Sequence, residues 1–446
     1  MVRRPTARLA AVGCLIVLGA ATLLAQAPEG DDWPQWRGPL ATGVAPSGNP
    51  PLRWSETENI RWKIPIPGGG SASPIVWGDH VFVLTAVPAG EGEGGTGFFG
   101  RLRNRIMGTT GSDELLHFVI VAINRRDGSV AWERTAVTQQ PHEGRHNTNS
   151  WASASAVTDG EVVCAFFGSR GLYCYDMDGT PLWDHDFGDM RIRLGFGEGA
   201  SPVLHGDSII VLWDHQGPSF VTALDKRTGA ERWRVDRAEE TTWTTPLVVE
   251  HDGQAQVITS ATDRIRSYSA ETGALLWEGE GVTLNAIPSP VAADGVVYLM
   301  SGYRGNRLYA VDLSRAQGEI TESDAIVWSL ERDTPYVPSP VLHDGILYFT
   351  KSNSGILSAH DAATGRPLYG PERLPGIREI YASPVVANGR LYITSRDGTT
   401  LVIATGPEME VLATNTLDDA IDASAAVVGD EIYLRGGQFL YCIAAS

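Results

Sequence analysis

Ser289-Pro290-Val291-Ala292-Ala293-Asp294-Gly295-Val296-Val297-Tyr298-Leu299 opens a phrase that recurs along the chain. Ser-Pro-Val starts a short strand, Asp-Gly turns it, and β-branched and aromatic residues carry it back. Gly302-Tyr303-Arg304-Gly305 is a second turn, Leu308-Tyr309-Ala310-Val311 a third strand, and Trp328 closes a fourth. Proline is tolerated at the head of a strand because the first N–H can lie outside the ladder. The Ser or Thr anchors of the phrase are Ser73, Ser155, Ser201, Thr245, Ser289, Ser339, Ser383 and Ser424. Their steps are 82, 46, 44, 44, 50, 44 and 41 residues. Copies at about 44 residues have the period of a propeller blade, and the long first step contains an insertion. One four-stranded unit cannot bury both of its faces, so the copies must stack around an axis.

A second phrase, Ala-x-Asp-x-x-x-Gly-x-x-x-Trp, ends most copies. Ala223, Asp225, Gly229 and Trp233 fit it fully, and Ala122, Asn124, Gly128 and Trp132 nearly so. Ser269, Gly273 and Trp277 keep its second half, and Asp176, Gly179 and Trp183 are one residue shorter. Ala359, Asp361, Gly365 and Tyr369 replace Trp by Tyr, and residues 401–412 have largely lost the phrase. The pattern reads as a hairpin turned at Gly, with an outer Trp packed on the neighbouring blade. The last copy stops at its third strand, Leu440-Tyr441-Cys442-Ile443. Asn59-Ile60-Arg61-Trp62-Lys63-Ile64 reads as the missing fourth strand, which would close the ring between the two chain ends and remove exposed edges. The expected fold is therefore all-β: an eight-bladed β-propeller over 59–446, with an insertion at 86–116 and an N-terminal extension at 28–58.

Arg3, Arg4 and Arg8, the apolar run Leu9–Ala25 and Ala25-Gln26-Ala27 have the form of a cleaved export signal over 1–27. The run is short for a membrane span, and Cys14 lies inside it rather than at its end, which argues against lipidation. Losing three Arg takes the formal charge from −18 to −21. An acidic protein of this kind excludes non-specific nucleic-acid binding. Four Cys in 446 residues exclude a disulfide scaffold, and no C-x-x-C pair occurs. Cys164 and Cys174 sit symmetrically about the turn near Ser169, so a cross-hairpin disulfide or two buried thiols would both fit. Cys442 has no evident partner.

The two phrases resemble pyrroloquinoline quinone (PQQ)-type propeller repeats, found in quinoprotein alcohol dehydrogenases and in the propeller lipoprotein that assists outer-membrane protein assembly. Asp32-Trp33-Pro34-Gln35-Trp36-Arg37-Gly38-Pro39 is similar to the start of exported bacterial PQQ-binding-like propeller proteins. The resemblance covers nearly all of the chain after the signal. It implies the fold and a cell-envelope setting, whereas one fold hosts many functions.

Strand order puts the loops between blades (D–A) and the B–C turns on one propeller face. The B–C turns supply Arg170, His215, Arg264, Arg304, Lys351, Arg396 and Arg435. This reads either as a basic funnel for an anionic ligand or as polar turns paired with acids such as Asp214, Asp263 and Asp397. The D–A loops add Arg191, Arg193, Glu198, Trp243, Asn285, Tyr336, Arg378, Tyr381 and Asp422. Their aromatic rings would either stack on a flat ligand or pack on each other in a plugged channel.

His142-Glu143-Gly144-Arg145-His146 matches H-E-x-x-H, but Pro141 and Gly144 and the absence of a helical period place it in a loop. A metal role for His142 and His146, and with it a metal-dependent hydrolase, is the third-ranked reading. The second is a quinoprotein oxidoreductase holding PQQ with Ca²⁺, for which Glu198, Asn285 and Asp422 are the isolated candidate ligands. The adjacent cysteines of the dehydrogenases are absent. In the insertion, Phe99, Leu102 and Ile106 share a helical face flanked by Arg, suited to a partner or an anionic surface. The first-ranked expectation is a monomeric, periplasmic or secreted, non-catalytic binding scaffold without a membrane span. It would carry no cofactor and would bind an envelope protein, a peptide or a small anionic ligand on the D–A/B–C face.

Overall fold

The computed structural model describes Met1 and residues 32–90, 109–111 and 113–445. Contacts divide the chain into Met1–Gly30 and Asp31–Ser446, and the second unit is the one described below. The export signal and the Phe99, Leu102, Ile106 face lie outside the described residues. Eight blades surround one axis, and the described residues contain only two short 3₁₀ turns, Gly168–Arg170 and Arg193–Gly195. In the fifth blade, strand A is Val291–Ala293, B Val296–Ser301, C Arg307–Asp312 and D Ile326–Leu330. Its C–D connection also sends Gly318–Glu319 to pair in parallel with strand D of the fourth blade. Strands C and D share a register shift at the same place in successive blades, between Ala223 and Leu224, Ser267 and Tyr268, Ala310 and Val311. The extra residue falls just before the Trp and bends the outer strand there.

The eight anchors form a closed hydrogen-bonded ring. The backbone N–H of each donates to the hydroxyl of the next: Ser73 to Ser155 at 3.0 Å, Ser155 to Ser201 at 2.9 Å, Ser201 to Thr245 at 3.0 Å and Thr245 to Ser289 at 2.9 Å. The circuit continues from Ser289 to Ser339 and from Ser339 to Ser383, both at 2.9 Å, and from Ser383 to Ser424 at 2.8 Å. Ser424 donates to Ser73 at 3.0 Å, which joins the last blade to the first. All eight anchors are buried, where an unpaired N–H would be costly. Proline follows six of them. It holds the anchor extended and removes a further donor from the crowded axis.

The outer rim is joined by tryptophans. Trp62, Trp132, Trp183, Trp233 and Trp328 each donate from Nε1 to a carbonyl of the following blade, those of Arg125, Met177, Lys226, Ala270 and Ala362, at 2.9–3.0 Å. The indole lies over the Gly of that blade's C–D turn. Gly229 shows the constraint: φ is +70°, and a Cβ there would sit 2.5 Å from the Trp183 ring. Trp277 turns instead to Gln256 Oε1 at 3.3 Å, because the longer C–D connection of the fifth blade covers its strand. Tyr369, the Tyr in place of Trp, has no hydrogen-bond partner for its hydroxyl among the described residues.

Ile60–Pro65 pairs with Phe439–Ala444, so the eighth blade takes its outer strand from the other end of the chain. Residues 33–45 are more than an extension. Trp33 exchanges two backbone hydrogen bonds with Val76, at 2.8 and 2.9 Å, on the inner strand of the first blade. Val44–Ala45 pairs in parallel with the inner strand of the seventh blade, opposite Val386 and Ala387. Buried Arg37 donates to the carbonyls of Pro340 (2.5 Å), Pro384 (2.7 Å) and Thr42 (2.9 Å). Burial lowers its pKa to about 9. The segment thus lies across the inner strands beyond the hydroxyl ring, on the side away from the D–A loops.

Cys164 and Cys174 are directly opposed on strands B and C of the second blade and form a disulfide. Cys442 is a buried free thiol.

Ser289→Ala leaves the Thr245 N–H without its acceptor, whereas Ser289→Thr keeps it. We expect the alanine variant to lose about 1–3 kcal/mol and the threonine variant to stay near wild type, read from denaturant midpoints.

Candidate functional site

The channel mouth on the D–A/B–C face opens into a cavity of about 400 Å³. Its floor is Trp36, carried in by the N-terminal segment, together with the ring hydroxyls of Ser73, Ser201, Thr245, Ser383 and Ser424. Its wall is aromatic: Phe196, Trp243, Tyr303, Tyr336 and Tyr381. His146, Thr148, Asn149 and Asp422 complete the polar lining.

The wall is held by hydrogen bonds and ring packing. Trp243 Nε1 donates to the Gly197 carbonyl at 2.7 Å, and its N–H donates to that of Ala286 at 2.8 Å. Tyr303 and Tyr336 stack with centroids 4.7 Å apart, and Asn285 Nδ2 reaches the Tyr336 hydroxyl at 3.4 Å. The Arg396 guanidinium lies 4.2 Å from the Tyr381 ring centre, a cation–π contact. The same guanidinium forks onto Asp422 at 2.6 and 3.1 Å and reaches Glu379 at 3.1 Å. His146 Nδ1 bonds the Thr148 hydroxyl at 2.8 Å, and its ring meets Phe196 edge-on at 5.0 Å. Burial, then the charges of Arg396 and Arg145, lower the His146 pKa, which favours the uncharged imidazole. Thr109–Thr110, within the insertion, pairs with Arg145–His146, so this part of the insertion reaches the mouth.

Among the described residues no Lys or Arg lines this cavity, although Arg396 and Arg304, expected at the mouth, pack on the rings of its lining residues Tyr381 and Tyr303. Arg170 pairs with Asp189, Arg264 with Glu278 and Glu319, Lys351 with Asp333, and Arg193 with Glu240. Arg191 donates to the Gln216 carbonyl. His215 is buried, accepting from the Arg191 N–H at 2.9 Å and facing the Pro218 carbonyl at 3.1 Å. Arg435 is buried as well, and its Nη1 donates to the Leu84 carbonyl at 2.7 Å, across the seam between the last and first blades. Arg304 and Arg378 stay exposed, with no ion pair among the described residues. The acids that stood nearest in sequence are not the partners. Asp214 belongs to the buried Arg237, held by a fork at 2.8 and 3.0 Å.

The H-E-x-x-H motif is no helix. Arg145–His146 is a strand, and the two His line different cavities. His142 Nε2 faces the Met190 carbonyl at 2.5 Å, in a smaller cavity beside Glu143, Ser169, Arg170 and Glu198. Among the described residues no cluster of three or more His, Cys, Asp or Glu side chains is arranged to hold a metal. Glu198 accepts from the Ser169 N–H at 2.8 Å and from its hydroxyl. Glu143 accepts from the Ile192 N–H at 2.9 Å. Burial outweighs these bonds and raises both carboxyls to about 7.

Chain-order reasoning missed Trp36, Phe196 and Tyr303 as lining residues. Tyr303 was visible in the B–C turn of the fifth blade. Trp36 carried no signal, since nothing in the sequence says that the segment before the propeller folds across the inner strands.

The family described as outer membrane protein assembly factor BamB matches residues 48–195 and 217–445. The chain belongs to that family. Among solved structures, BamB from Moraxella catarrhalis is 15% identical with TM-score 0.58, over 86% of this chain and 99% of that one. A europium-containing methanol dehydrogenase is 12% identical with TM-score 0.60, over 91% and 89%. A quinohemoprotein alcohol dehydrogenase from Comamonas testosteroni is 11% identical with TM-score 0.62, over 95% and 82%. At these identities the likeness concerns the fold. A search of curated protein sequences returns no match.

The raised carboxyls make stability depend on pH. A Glu that keeps its proton to about 7 in the fold, against 4.5 for the ordinary group, lets the native state bind more protons than the unfolded chain within that window. Stability therefore falls as pH rises through it. Glu198→Gln mimics the protonated side chain. We expect wild type and variant to melt alike near pH 4.5, and the variant to melt about 2 °C or more above wild type at pH 8, measured by thermal denaturation across pH.

Proposed function

We propose that this protein is a non-catalytic binding propeller of the cell envelope, and that the channel mouth is its recognition site. One observation carries the reading: a cavity of about 400 Å³ with aromatic walls at the meeting point of all eight blades. A concave, largely apolar pocket with a few convergent polar groups is the general form of a binding site. The export-signal pattern of residues 1–27, in which Arg3 and Arg4 precede the apolar run, and the Cys164–Cys174 disulfide support an oxidising compartment outside the cytoplasm. No helix of the described residues is long and apolar enough to cross a membrane. Membership of a family named for outer-membrane protein assembly supports a role in the cell envelope.

The dehydrogenase reading asks more of the site. PQQ is a planar tricarboxylate, and Ca²⁺ needs several oxygen ligands. The cavity offers a flat aromatic floor, but its lining has no cation to meet three carboxylates, and its one acid, Asp422, is forked to Arg396. Glu198 lines the other cavity, and Asn285 faces Tyr336. The residues present do not fit that cofactor with its metal. His142 and His146, in separate cavities, give no support to a metal-dependent hydrolase.

A photoreactive residue placed at Tyr381 and another at Asp344, in an A–B turn on the opposite face, test the reading in envelope preparations. The expected result is adducts from position 381 and none from 344. Equal labelling from both positions, or dye reduction by the protein supplied with PQQ and Ca²⁺, would overturn it.

A further inference from the structure

The chemistry of the mouth narrows what it binds. In the anchor ring each hydroxyl oxygen is already an acceptor, of its neighbour's N–H, at 2.8–3.0 Å. None of these hydroxyl protons has an acceptor among the described residues. The ring therefore leaves a set of O–H donors uncommitted, and five of the eight anchors line the cavity. His146 Nε2, the hydroxyls of Tyr303 and Tyr381, and Trp36 Nε1 likewise have no hydrogen-bond partner among the described residues. A ligand that leaves so many polar groups unmatched would lose affinity, because polar groups that end up imperfectly paired cost desolvation.

Charge excludes most alternatives. Among the described residues no Lys or Arg lines the cavity, the His146 pKa is lowered, and the Asp422 carboxylate is matched by Arg396. The paired Asp422 and Arg396 therefore offer neither an anion nor a cation an unmatched partner. Between the polar floor and the rim stand the faces and edges of Trp243, Tyr303, Tyr336 and Tyr381. Aromatic faces are electron-rich and suit the polarised C–H face of a saturated ring. A ligand must therefore be neutral, carry many hydroxyl or ether oxygens around its edge, and present apolar C–H faces. A pyranose has these properties together.

We infer that the channel mouth is a binding site for a neutral saccharide unit, with Trp243 and Tyr381 stacking on the sugar and the anchor hydroxyls and His146 meeting its oxygens. This rests on the mouth being the recognition site, and it names the chemistry recognised there.

The test is titration calorimetry, with tryptophan fluorescence as a second readout, on the protein without residues 1–27. The probes are glucose, galactose, mannose, N-acetylglucosamine, maltose and cellobiose, with glucuronate and sorbitol as controls. At least one neutral sugar is expected to bind, and glucuronate to bind about tenfold more weakly than glucose. Sorbitol, which has the hydroxyls without the ring, should give no saturable signal. Trp243→Ala and, independently, Tyr381→Ala should each weaken binding by about tenfold or more, with melting curves showing that each variant is folded. Tyr381→Phe, which keeps the ring, should lose less. The inference is overturned if no neutral sugar binds at about 10 mM, if glucuronate binds more tightly, or if both alanine variants bind as wild type does. Selective cross-linking from position 381 without sugar binding would sink this inference alone. Loss of both results would remove the mouth as a recognition site.

Discussion

Everything in this structure depends on a ring of eight hydrogen bonds around the axis, each from an anchor N–H to the hydroxyl of the next anchor. The anchor must be Ser or Thr, because the acceptor has to sit on the first side-chain atom that can reach a neighbouring inner strand at a crowded centre. The bond satisfies a donor at the start of every inner strand, where strand pairing leaves it over. It also fixes the angular step between blades, so eight copies close without a gap. The last bond, Ser424 to Ser73, spans 351 residues of sequence. It is made possible by Ile60–Pro65, which supplies the outer strand of the last blade.

The rim is governed by a different device. An indole N–H reaches across five of the eight blade boundaries, and there a Gly with positive φ lets the ring approach the next hairpin. Where the hairpin lengthens, as after Asp312, the indole turns to Gln256 instead. Where Trp becomes Tyr, at position 369, the cross-blade bond is lost and the hydroxyl has no partner among the described residues. The inner ring tolerates no such loss. All eight positions keep a hydroxyl, and this uniformity gives the mouth its circle of uncommitted O–H groups.

The architecture was legible because it is periodic. Anchors at regular steps, Asp-Gly turns and the Trp phrase identify the blades, and the incomplete last copy points to the strand at Asn59–Ile64. The site was legible only in part. Trp243, Tyr336, Tyr381 and Asp422 do meet at the mouth, since strand order alone puts their loops on one face. Most basic turn residues pair with acids distant in sequence, as Arg264 does with Glu319, 55 residues away, whereas Arg396 stays at the mouth, paired with Asp422 26 residues on. Neighbouring acids such as Asp214 were the natural guess, yet Asp214 is buried with Arg237. Trp36 reaches the cavity through a fold-back that no local pattern encodes. The anchors were recognised as strand markers, while their mutual bonding emerges only when the blades are set side by side.

The account stands on the ring being continuous, including across the seam where the chain ends meet. Amide hydrogen exchange resolved to single residues tests this most directly, because protection reports the free energy needed to open each bond. If the ring is one closed unit, the amide of Ser424, which donates across the seam to Ser73, exchanges as slowly as those of Ser73, Ser155, Ser201, Thr245, Ser289, Ser339 and Ser383. If Ser424 exchanges with the surface loops while the others stay protected, the ring is open at its seam, which contradicts a closed ring.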